Sequence, residues 1–326
     1  MPALVVGWAG LFAWSYLGAL GQPTPHHIPL ALVTPMPVAA GRLKAELRAA
    51  EPGAFSVRIY GSGTRAHAAL LAGRVDGVLV VEPHTATLDV AEAAGLSIAA
   101  GLPQELGAVV AGHHVPLVVR DLVPLPAGDA SGLGLFYVVL ACVLGGYVGT
   151  LMVLAHSSPL APVARLAQLA ATAVLLGAAT TLVDRVLLGA DPLPLPDAAL
   201  VAALTAFAVA TSTWALLAGL GRLAVPVAFG LFIIVGNPSS GGAIPRALLP
   251  SAYAALSGWL PNGAAVTALR NLTFFPTASV WGPVLVLAAW TLAGVGGALV
   301  LTRGRPTPGP DTPDSPTAHS VPLDRT

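Results

Sequence analysis

Charged residues are scarce in this sequence. They make up 9% of the 326 residues, whereas an ordinary globular domain carries about 25%. So few charges cannot cover the surface of a soluble enzyme, and the mean hydropathy of +0.79 agrees with a chain that lies mostly in lipid. The formal net charge is zero, so nothing favours binding to nucleic acid. Composition therefore predicts an integral membrane protein.

Catalytic and cofactor motifs are missing as well. The single cysteine, Cys142, excludes an intrachain disulfide. The single lysine, Lys44, does not belong to a phosphate-binding loop, so this chain does not bind ATP through such a loop. The patterns G-x-S-x-G, C-x-x-C and H-E-x-x-H do not occur. We therefore expect neither an enzyme nor a cofactor protein.

Six apolar stretches predict an α-helical polytopic membrane protein, because a helix needs about 20 apolar residues to cross about 30 Å of hydrocarbon. They are residues 2–21, 132–155, 166–189, 198–221, about 223–236, and 279–302. The fifth is short and contains Pro226, which favours a tilted or kinked helix. The chain is thus expected to have a first membrane helix at 1–21 and a five-helix membrane domain at 132–302.

The basic residues of the short loops predict the orientation. Arg165, Arg222 and Arg303 follow the second, fourth and sixth stretches, and such loops stay cytoplasmic. Both termini are then cytoplasmic, and residues 22–131 and 237–278 lie outside. The segment 303–326 is rich in proline and polar residues, so we expect a disordered cytoplasmic tail.

Residues 22–131 have a different composition, with seven of the fifteen basic and nine of the fifteen acidic residues. Apolar runs predict strands, and amphipathic segments predict helices between them. The predicted strands are 28–33, 55–60, 75–81 and 115–119; the predicted helices are 38–50, 64–72 and 91–112, the last with a break at Pro103. This alternation predicts an inserted extracytoplasmic α/β domain with a partly parallel sheet.

Two histidine doublets precede the first and last predicted strands: His26 with His27, and His113 with His114. If those strands are neighbours, four imidazoles meet and form a zinc, copper or pH-sensing site. The alternative is two solvated turns near the membrane.

Ionisable residues within the membrane stretches would indicate ion coupling. Asp184 and Arg185 stand in the outermost turns of the third stretch, where they are expected to reach headgroups or to pair locally. Gly145, Gly149 and Gly294 predict close helix packing.

The segment after the fifth stretch is rich in glycine and polar residues from Gly236 to Pro245. Such backbone at membrane depth must be buried in protein or wetted by water. An apolar helical stripe follows, formed by Leu249, Tyr253, Leu256 and Leu260. Asn262 is expected to cap a second short helix over 264–272. These features predict a pair of interfacial or re-entrant helices within 237–278.

This segment resembles the type-2 ABC exporter permeases, and most closely their phage-infection-protein (YhgE/Pip-like) branch as found in actinobacteria. The resemblance rests on Ser240-Gly241-Gly242, Pro245, Leu248-Leu249-Pro250, Leu260-Pro261 and Ala268-Leu269-Arg270. The stretches 121–126 and 132–137 resemble the approach to the second membrane helix in the same group.

The resemblance implies the permease subunit of an exporter in the bacterial cytoplasmic membrane, working as a homo- or heterodimer with a separate ABC ATPase. It implies a transport or gating motif formed by Ser239, Ser240, Gly241, Gly242, Pro245, Pro250, Pro261 and Arg270. The inner loop from His156 to Arg165 is the candidate docking loop for the ATPase. The alternative function is a non-transporting membrane receptor, or an envelope-assembly accessory protein, that acts through residues 22–131.

Overall fold

The structure is a computed structural model that describes residues 2–35, 37–156, 161–189 and 193–303. Within these ranges the chain is mostly helical and contains one mixed β-sheet. The helices are α1 (Pro2–Leu20), α2 (Pro37–Ala50), α3 (Gly63–Leu70), α4 (Leu96–Ala111), α5 (Gly134–His156), α6 (Pro162–Leu188), α7 (Leu195–Leu220), α8 (Ala224–Phe229), α9 (Ser251–Ser257), α10 (Pro261–Phe274) and α11 (Trp281–Thr302). The strands are β1 (Ile28–Val33), β2 (Phe55–Tyr60), β3 (Gly77–Val81), β4 (Ala86–Val90) and β5 (Leu117–Asp121).

The five strands form one sheet in the order β2-β1-β3-β4-β5. Strand β1 pairs in parallel with β2 and β3, β4 runs antiparallel to β3, and β5 is parallel to β4. The first two predicted strands coincide with β1 and β2, whereas β4 was not predicted. The predicted break at Pro103 is wrong: Pro103 lies inside α4, and the helical path is interrupted at Gly95 instead.

Both faces of the sheet are covered, which explains why β1 is apolar along its whole length. On one face Leu30, Leu32 and Leu88 pack against α2 and α4. On the other face Ala31 and Val78 pack against α3. The sheet region therefore has a core of its own on each side of a single layer of strands.

Helix α7 is the centre of the helical bundle and packs against α5, α6, α10 and α11. Two glycines allow the closest approaches. A Cβ on Gly177 would meet Ala203 N at 2.5 Å, and a Cβ on Gly294 would meet Ser212 N at 2.6 Å. Small residues thus let the backbones of α6 and α11 touch α7, as packing in lipid favours.

The number of candidate membrane spans differs from the prediction. Among the described residues, four helical segments are long and apolar enough to cross a membrane: Gly134–His156, Pro162–Leu188, Leu195–Val235 and Trp281–Thr302. The described apolar helix Val6–Leu20 is shorter than these. The prediction of about six complete spans is therefore not confirmed, and the expected disordered tail lies outside the described residues beyond Arg303.

The predicted fifth span is incomplete. The helical segment Leu195–Val235 would measure roughly 60 Å if straight, about twice the hydrocarbon thickness. It breaks at Gly221, whose φ of 58° and ψ of −132° are not helical. Residues 224–235 then run beside α1, because Ser15 Oγ donates to the carbonyl of Ile234 at 2.5 Å and Trp8 packs against Phe229. Twelve helical residues cover only about 18 Å, which is shorter than the hydrocarbon thickness.

Candidate functional site

The residues that carry the resemblance lie in one connecting segment, residues 237–278, which we call the cap segment. It begins where a π-helix, Gly230–Val235, ends. Ser239 Oγ donates to the carbonyl of Val235 at 2.7 Å and thereby partners a backbone group that the irregular helix end leaves over. The cap segment lies between the membrane helices and the sheet region, and it contacts both.

The two glycines of the turn are required for different reasons. Gly241 has a φ of 74°, in the left-handed region, and a Cβ there would meet nothing closer than 3.7 Å. A Cβ on Gly242 would instead meet the ring of Phe136 at 2.8 Å and Val266 at 3.2 Å. Ser240 Oγ accepts a hydrogen bond from Gly242 N at 3.2 Å, which closes the turn.

Arg270 faces the same turn from α10. One of its guanidinium nitrogens, Nη2, donates to the carbonyl oxygen of Gly241 at 3.0 Å. Its charge also interacts with that of Asp76, which precedes β3 in the sheet region. Burial raises the pKa of the Asp76 carboxyl to about 6, although the charge of Arg270 acts in the opposite direction. Arg270 therefore holds the backbone of the turn, and its charge acts on Asp76 of the sheet region.

The three motif prolines stand at helix starts. Pro250 immediately precedes α9, and Pro261 is the first residue of α10. Pro245 precedes a short 3-10 turn and packs against Gly95, where a side chain would clash with its ring. Proline is favoured at these positions because its fixed φ suits the first helical turn and its missing N–H would be unpaired there.

Apolar anchors of the cap segment complete the core of the sheet region. Leu248 is 7% exposed and packs with the α2 and α4 face, and Phe275 is 2% exposed and packs with the α3 face. Backbone hydrogen bonds support this docking: His26 N donates to the carbonyl of Ala247 at 2.7 Å. Thr277 Oγ1 also donates to the carbonyl of Leu71 at 3.1 Å. The two regions share hydrophobic core, which fixes their relative position.

Sequence reasoning missed these anchors. Leu248 was noticed only as part of the resemblance, and Phe275 was not singled out. Their signal is an apolar side chain on either flank of a glycine- and proline-rich segment, but the partner surface lies about 150–240 positions away in the chain and leaves no trace in the local pattern.

The role predicted for Asn262 is wrong. It does not cap a helix, since α10 begins at Pro261 without a side-chain cap. It is fully buried, and its Nδ2 donates to Asn237 Oδ1 at 2.9 Å and to the carbonyl of Phe232 at 3.0 Å. The paired amides join the end of the π-helix to α10. Asn237 Nδ2 and Asn262 Oδ1 remain without a hydrogen-bond partner in the described structure, which makes this pair a polar weak point in an apolar bundle.

The predicted interfacial stripe is only partly exposed. Leu249 and Leu260 are buried, whereas Leu256 is 39% exposed. The hydroxyl of Tyr253 lies 3.0 Å from Ser15 Oγ of α1. Helix α9 therefore packs onto α1 through Tyr253, while Leu256 on the same stripe stays partly exposed.

The histidine doublets do not form the predicted metal site. Strands β1 and β5 are separated by β3 and β4, so His26 and His27 lie far from His113 and His114. No group of three metal-ligating side chains occurs in the part of the chain that the structure describes. His113 Nε2 instead lies 2.8 Å from a carboxylate oxygen of Glu46.

The candidate docking loop is described only at its two ends. His156 is exposed at the end of α5, where its Nδ1 donates to the carbonyl of Met152 at 3.1 Å. The guanidinium of Arg165 lies over the ring of Trp214 at 5.7 Å and so packs against α7. The residues between 157 and 160 lie outside the described ranges.

Asp184, predicted to reach headgroups or pair locally, is instead 6% exposed between α5 and α6. It lies apart from the cap segment and close to Gly134, at the beginning of α5.

Comparison with known proteins identifies no relative. No family model, no curated protein and no solved structure matches this chain.

Proposed function

We propose that this chain is the permease subunit of an ABC-type exporter, which moves a substrate outward as a dimer with a separate ATPase. The observation that carries the proposal is the convergence of the motif residues at one junction. Arg270 donates to the carbonyl of Gly241, Pro245 packs against Gly95 of the sheet region, and Gly242 packs against Phe136 of α5. Gating at the outer end of a helical bundle needs an element that is coupled both to the helices and to what lies outside, and the cap segment has contacts on both sides.

The proposed topology has six crossings. The four long apolar segments give five passes, because the break at Gly221 divides Leu195–Val235 into α7 and residues 224–235. Helix α1, which packs beside residues 224–235, is the sixth. Arg165, Arg222 and Arg303 lie at the ends of helices α6, α7 and α11 that are remote from the sheet region. By the distribution of basic residues, these ends are cytoplasmic in the bacterial cytoplasmic membrane, both termini are cytoplasmic, and residues 22–131 and the cap segment are extracytoplasmic.

The energy for transport would come from the partner. The chain has no phosphate-binding loop. Among the described residues, the one buried carboxylate within a membrane helix, Asp184, stands near the helix end rather than at the centre of the bundle. Hydrolysis of ATP by a subunit docked at the loop between His156 and Arg165 would drive the helices, and the cap segment would transmit their movement to the sheet region.

Affinity purification tests this proposal. The tagged chain is isolated from its native host in mild detergent, the copurifying proteins are identified by mass spectrometry, and ATPase activity is measured in the eluate. We expect a stoichiometric ABC ATPase. His156→Glu adds a negative charge at the docking loop and should lower the recovery of the ATPase. His26→Glu adds the same charge at another exposed position, at the opposite end of the helical bundle, and should leave the recovery of the ATPase unchanged.

Repeated isolation of the intact chain without any ATPase would reject the permease proposal. It would favour a membrane receptor or envelope-assembly accessory protein, for which one observation speaks. Strand β5 is an edge strand, and its Val118 and Val119 are 48% and 44% exposed. An unpaired, apolar strand edge accepts a further strand from a partner, so an envelope protein recovered through β5 would support that second function.

A further inference from the structure

A cavity of about 420 Å³ lies between α5 and α6, apart from the cap segment. Its walls are almost entirely apolar and include Tyr137, Ala141, Ala179, Thr180 and Val183. Its one carboxylate among the lining residues is Asp184, in the last turns of α6. The cavity lies at the end of the bundle that faces the sheet region, since Gly128 of the connecting loop packs against Leu188.

The Asp184 carboxylate has no hydrogen-bond donor among the described residues. Its residue is 6% exposed, and it accepts no hydrogen bond from any residue that the structure describes. The side chain is not in an ion pair with a described lysine, arginine or histidine either. Withdrawing a carboxylate from most of its water without a partner is costly, so this position favours a group of opposite charge.

A second carboxylate increases the need for a cation. Asp129 accepts hydrogen bonds from Leu133 N at 3.0 Å and Gly134 N at 2.9 Å, and so caps the beginning of α5. A Cβ on Gly134 would meet Asp184 Oδ1 at 2.8 Å and Asp129 Oδ2 at 2.9 Å. Both carboxylates therefore face the same point, which only a glycine leaves open, and each adds negative potential at the other.

We propose that this cavity binds a single-chain cationic amphiphile. The alkyl chain lies in the apolar groove between α5 and α6, and the positively charged head is held by Asp184 and by the field of Asp129. The charge complementarity selects the head: a cation offsets the negative charge of the carboxylates, whereas a neutral head supplies at most a hydrogen bond and an anionic head is repelled.

The dimensions of the cavity agree with such a ligand. The lining extends over about two turns of α5, from Gly134 to Ala141, and somewhat further along α6, from Ala179 to Leu188. At 1.5 Å per residue this is about 10–14 Å, which accommodates an extended chain of medium length. The carboxylates lie at the end of this groove near the membrane boundary, where a charged head remains within reach of water. The volume lies within the range of about 300–1,000 Å³ that is common for ligand sites.

This inference does not depend on the proposed export function, because it concerns binding alone. Isolation of the chain without an ATPase would reject the export proposal and leave ligand binding in the cavity untouched. Failure of ligand binding would reject the cavity proposal and leave the export proposal untouched.

Photoaffinity labelling tests the site. The full chain is reconstituted in phosphatidylcholine vesicles and exposed to decyltrimethylammonium that carries a diazirine at the end of its alkyl chain. Labelled peptides are mapped by mass spectrometry. We expect label on α5 and α6 near Ala141 and Ala179, and we expect unlabelled decyltrimethylammonium to compete for it at lower concentration than decanol, which has the same chain without the charge.

Variants separate the charge from the groove. Asp184→Asn should raise the half-saturating probe concentration about tenfold, corresponding to about 1.4 kcal/mol. Asp197→Asn, which removes an exposed carboxylate at the start of α7, should leave it unchanged. Ala179→Trp should fill the groove and abolish labelling while both carboxylates remain, so the test does not rely on one substitution.

Three results would each overturn the proposal. The first is equal competition by decanol, which would mean that the cavity takes any bilayer chain. The second is unchanged labelling of Asp184→Asn or, where that variant does not fold, of Ala179→Trp. The third is label spread over all exposed helix faces, which would indicate partition of the probe into the bilayer only.

Discussion

Replacing either of two adjacent glycines in the cap segment with alanine should lower the stability of the fold, but for a different reason at each position. Gly241 is in the left-handed region with a φ of 74°, but space for a Cβ is available. Gly242 has no such backbone requirement, yet its Cβ would lie 2.8 Å from Cδ2 of Phe136. Strain at the first position is thus in the backbone, and at the second it is a contact with a side chain of α5.

The expected magnitudes follow from these geometries. Gly241→Ala should cost about 1–2 kcal/mol, the usual cost of an L-residue in the left-handed region, and Gly241→Asn should cost less because asparagine tolerates this conformation. Gly242→Ala should cost about 1–3 kcal/mol through overpacking. In a Phe136→Ala background the ring is absent, so the additional cost of Gly242→Ala should fall by about 0.5 kcal/mol or more.

Thermal unfolding of the purified variants at a fixed scan rate measures these differences, with about 1.5 °C of Tm expected per kcal/mol, from an unfolding entropy of about 2.1 cal/mol/K per residue. Gly282→Ala in α11 is the matched control, because a Cβ there meets nothing within 4 Å. The reasoning is refuted if Phe136→Ala rescues Gly241→Ala as well as Gly242→Ala, or if asparagine is no better than alanine at 241.

Three further predictions follow from the sheet region. Phe275→Ala should lower the free energy of unfolding by about 3–5 kcal/mol by opening a cavity, and it should raise the rate of amide hydrogen exchange on the α3 face of the sheet region. Trp281→Ala, at a position 71% exposed, should do neither, and unchanged exchange in Phe275→Ala would contradict shared packing. The pKa of Asp76 is raised to about 6 from 3.8, so the native state holds this proton more tightly than the unfolded state, and the resulting stabilisation is present below pH 3.8 and lost as the pH rises through 6. The Tm of wild type should therefore fall relative to that of Asp76→Asn across this window, and a constant Tm difference would disprove the assignment. Arg120 Nε donates to the fully buried Asp89 at 2.7 Å, so Arg120→Ala should lower the free energy of unfolding by about 1–3 kcal/mol by leaving that carboxylate short of a donor. Arg120→Lys should recover part of this stability in the same unfolding assay, and equal losses in both variants would argue against the hydrogen bond as the cause.

Local patterns predicted the regular elements well where the period of apolar residues was clear. The strands at 28–33 and 55–60 coincide with β1 and β2, and the long apolar helices of the bundle lie where hydropathy indicated them. Strand β4 escaped prediction because Thr87 and Asp89 give it a polar face. Asp89 is nevertheless buried, since His67 and Arg120 cover it, and no local pattern indicates that arrangement.

The candidate site was only partly predictable. The glycine turn at 241 and 242 follows from backbone chemistry and was expected from single residues, whereas the helix predicted to start at residue 264 begins three residues earlier, at Pro261. The neighbours of the motif residues were not expected. Gly242 is constrained by the ring of Phe136. Arg270 donates to the carbonyl of Gly241, and its charge acts on Asp76. Each of these relations joins parts of the chain that are far apart in sequence.

The sequence by itself determined that this is a helical membrane protein with a separate α/β region, because low charge and long apolar runs leave no other way to satisfy the backbone in lipid. Only the tertiary structure decided which polar groups meet. It separated the histidine doublets by two strands, buried Asn262 against Asn237, and brought Asp184 beside Asp129. The physical reason is that apolar burial is non-directional and can be read from composition and period, whereas hydrogen bonds and charges act over a few ångströms between residues that only the packing of helices and strands brings together.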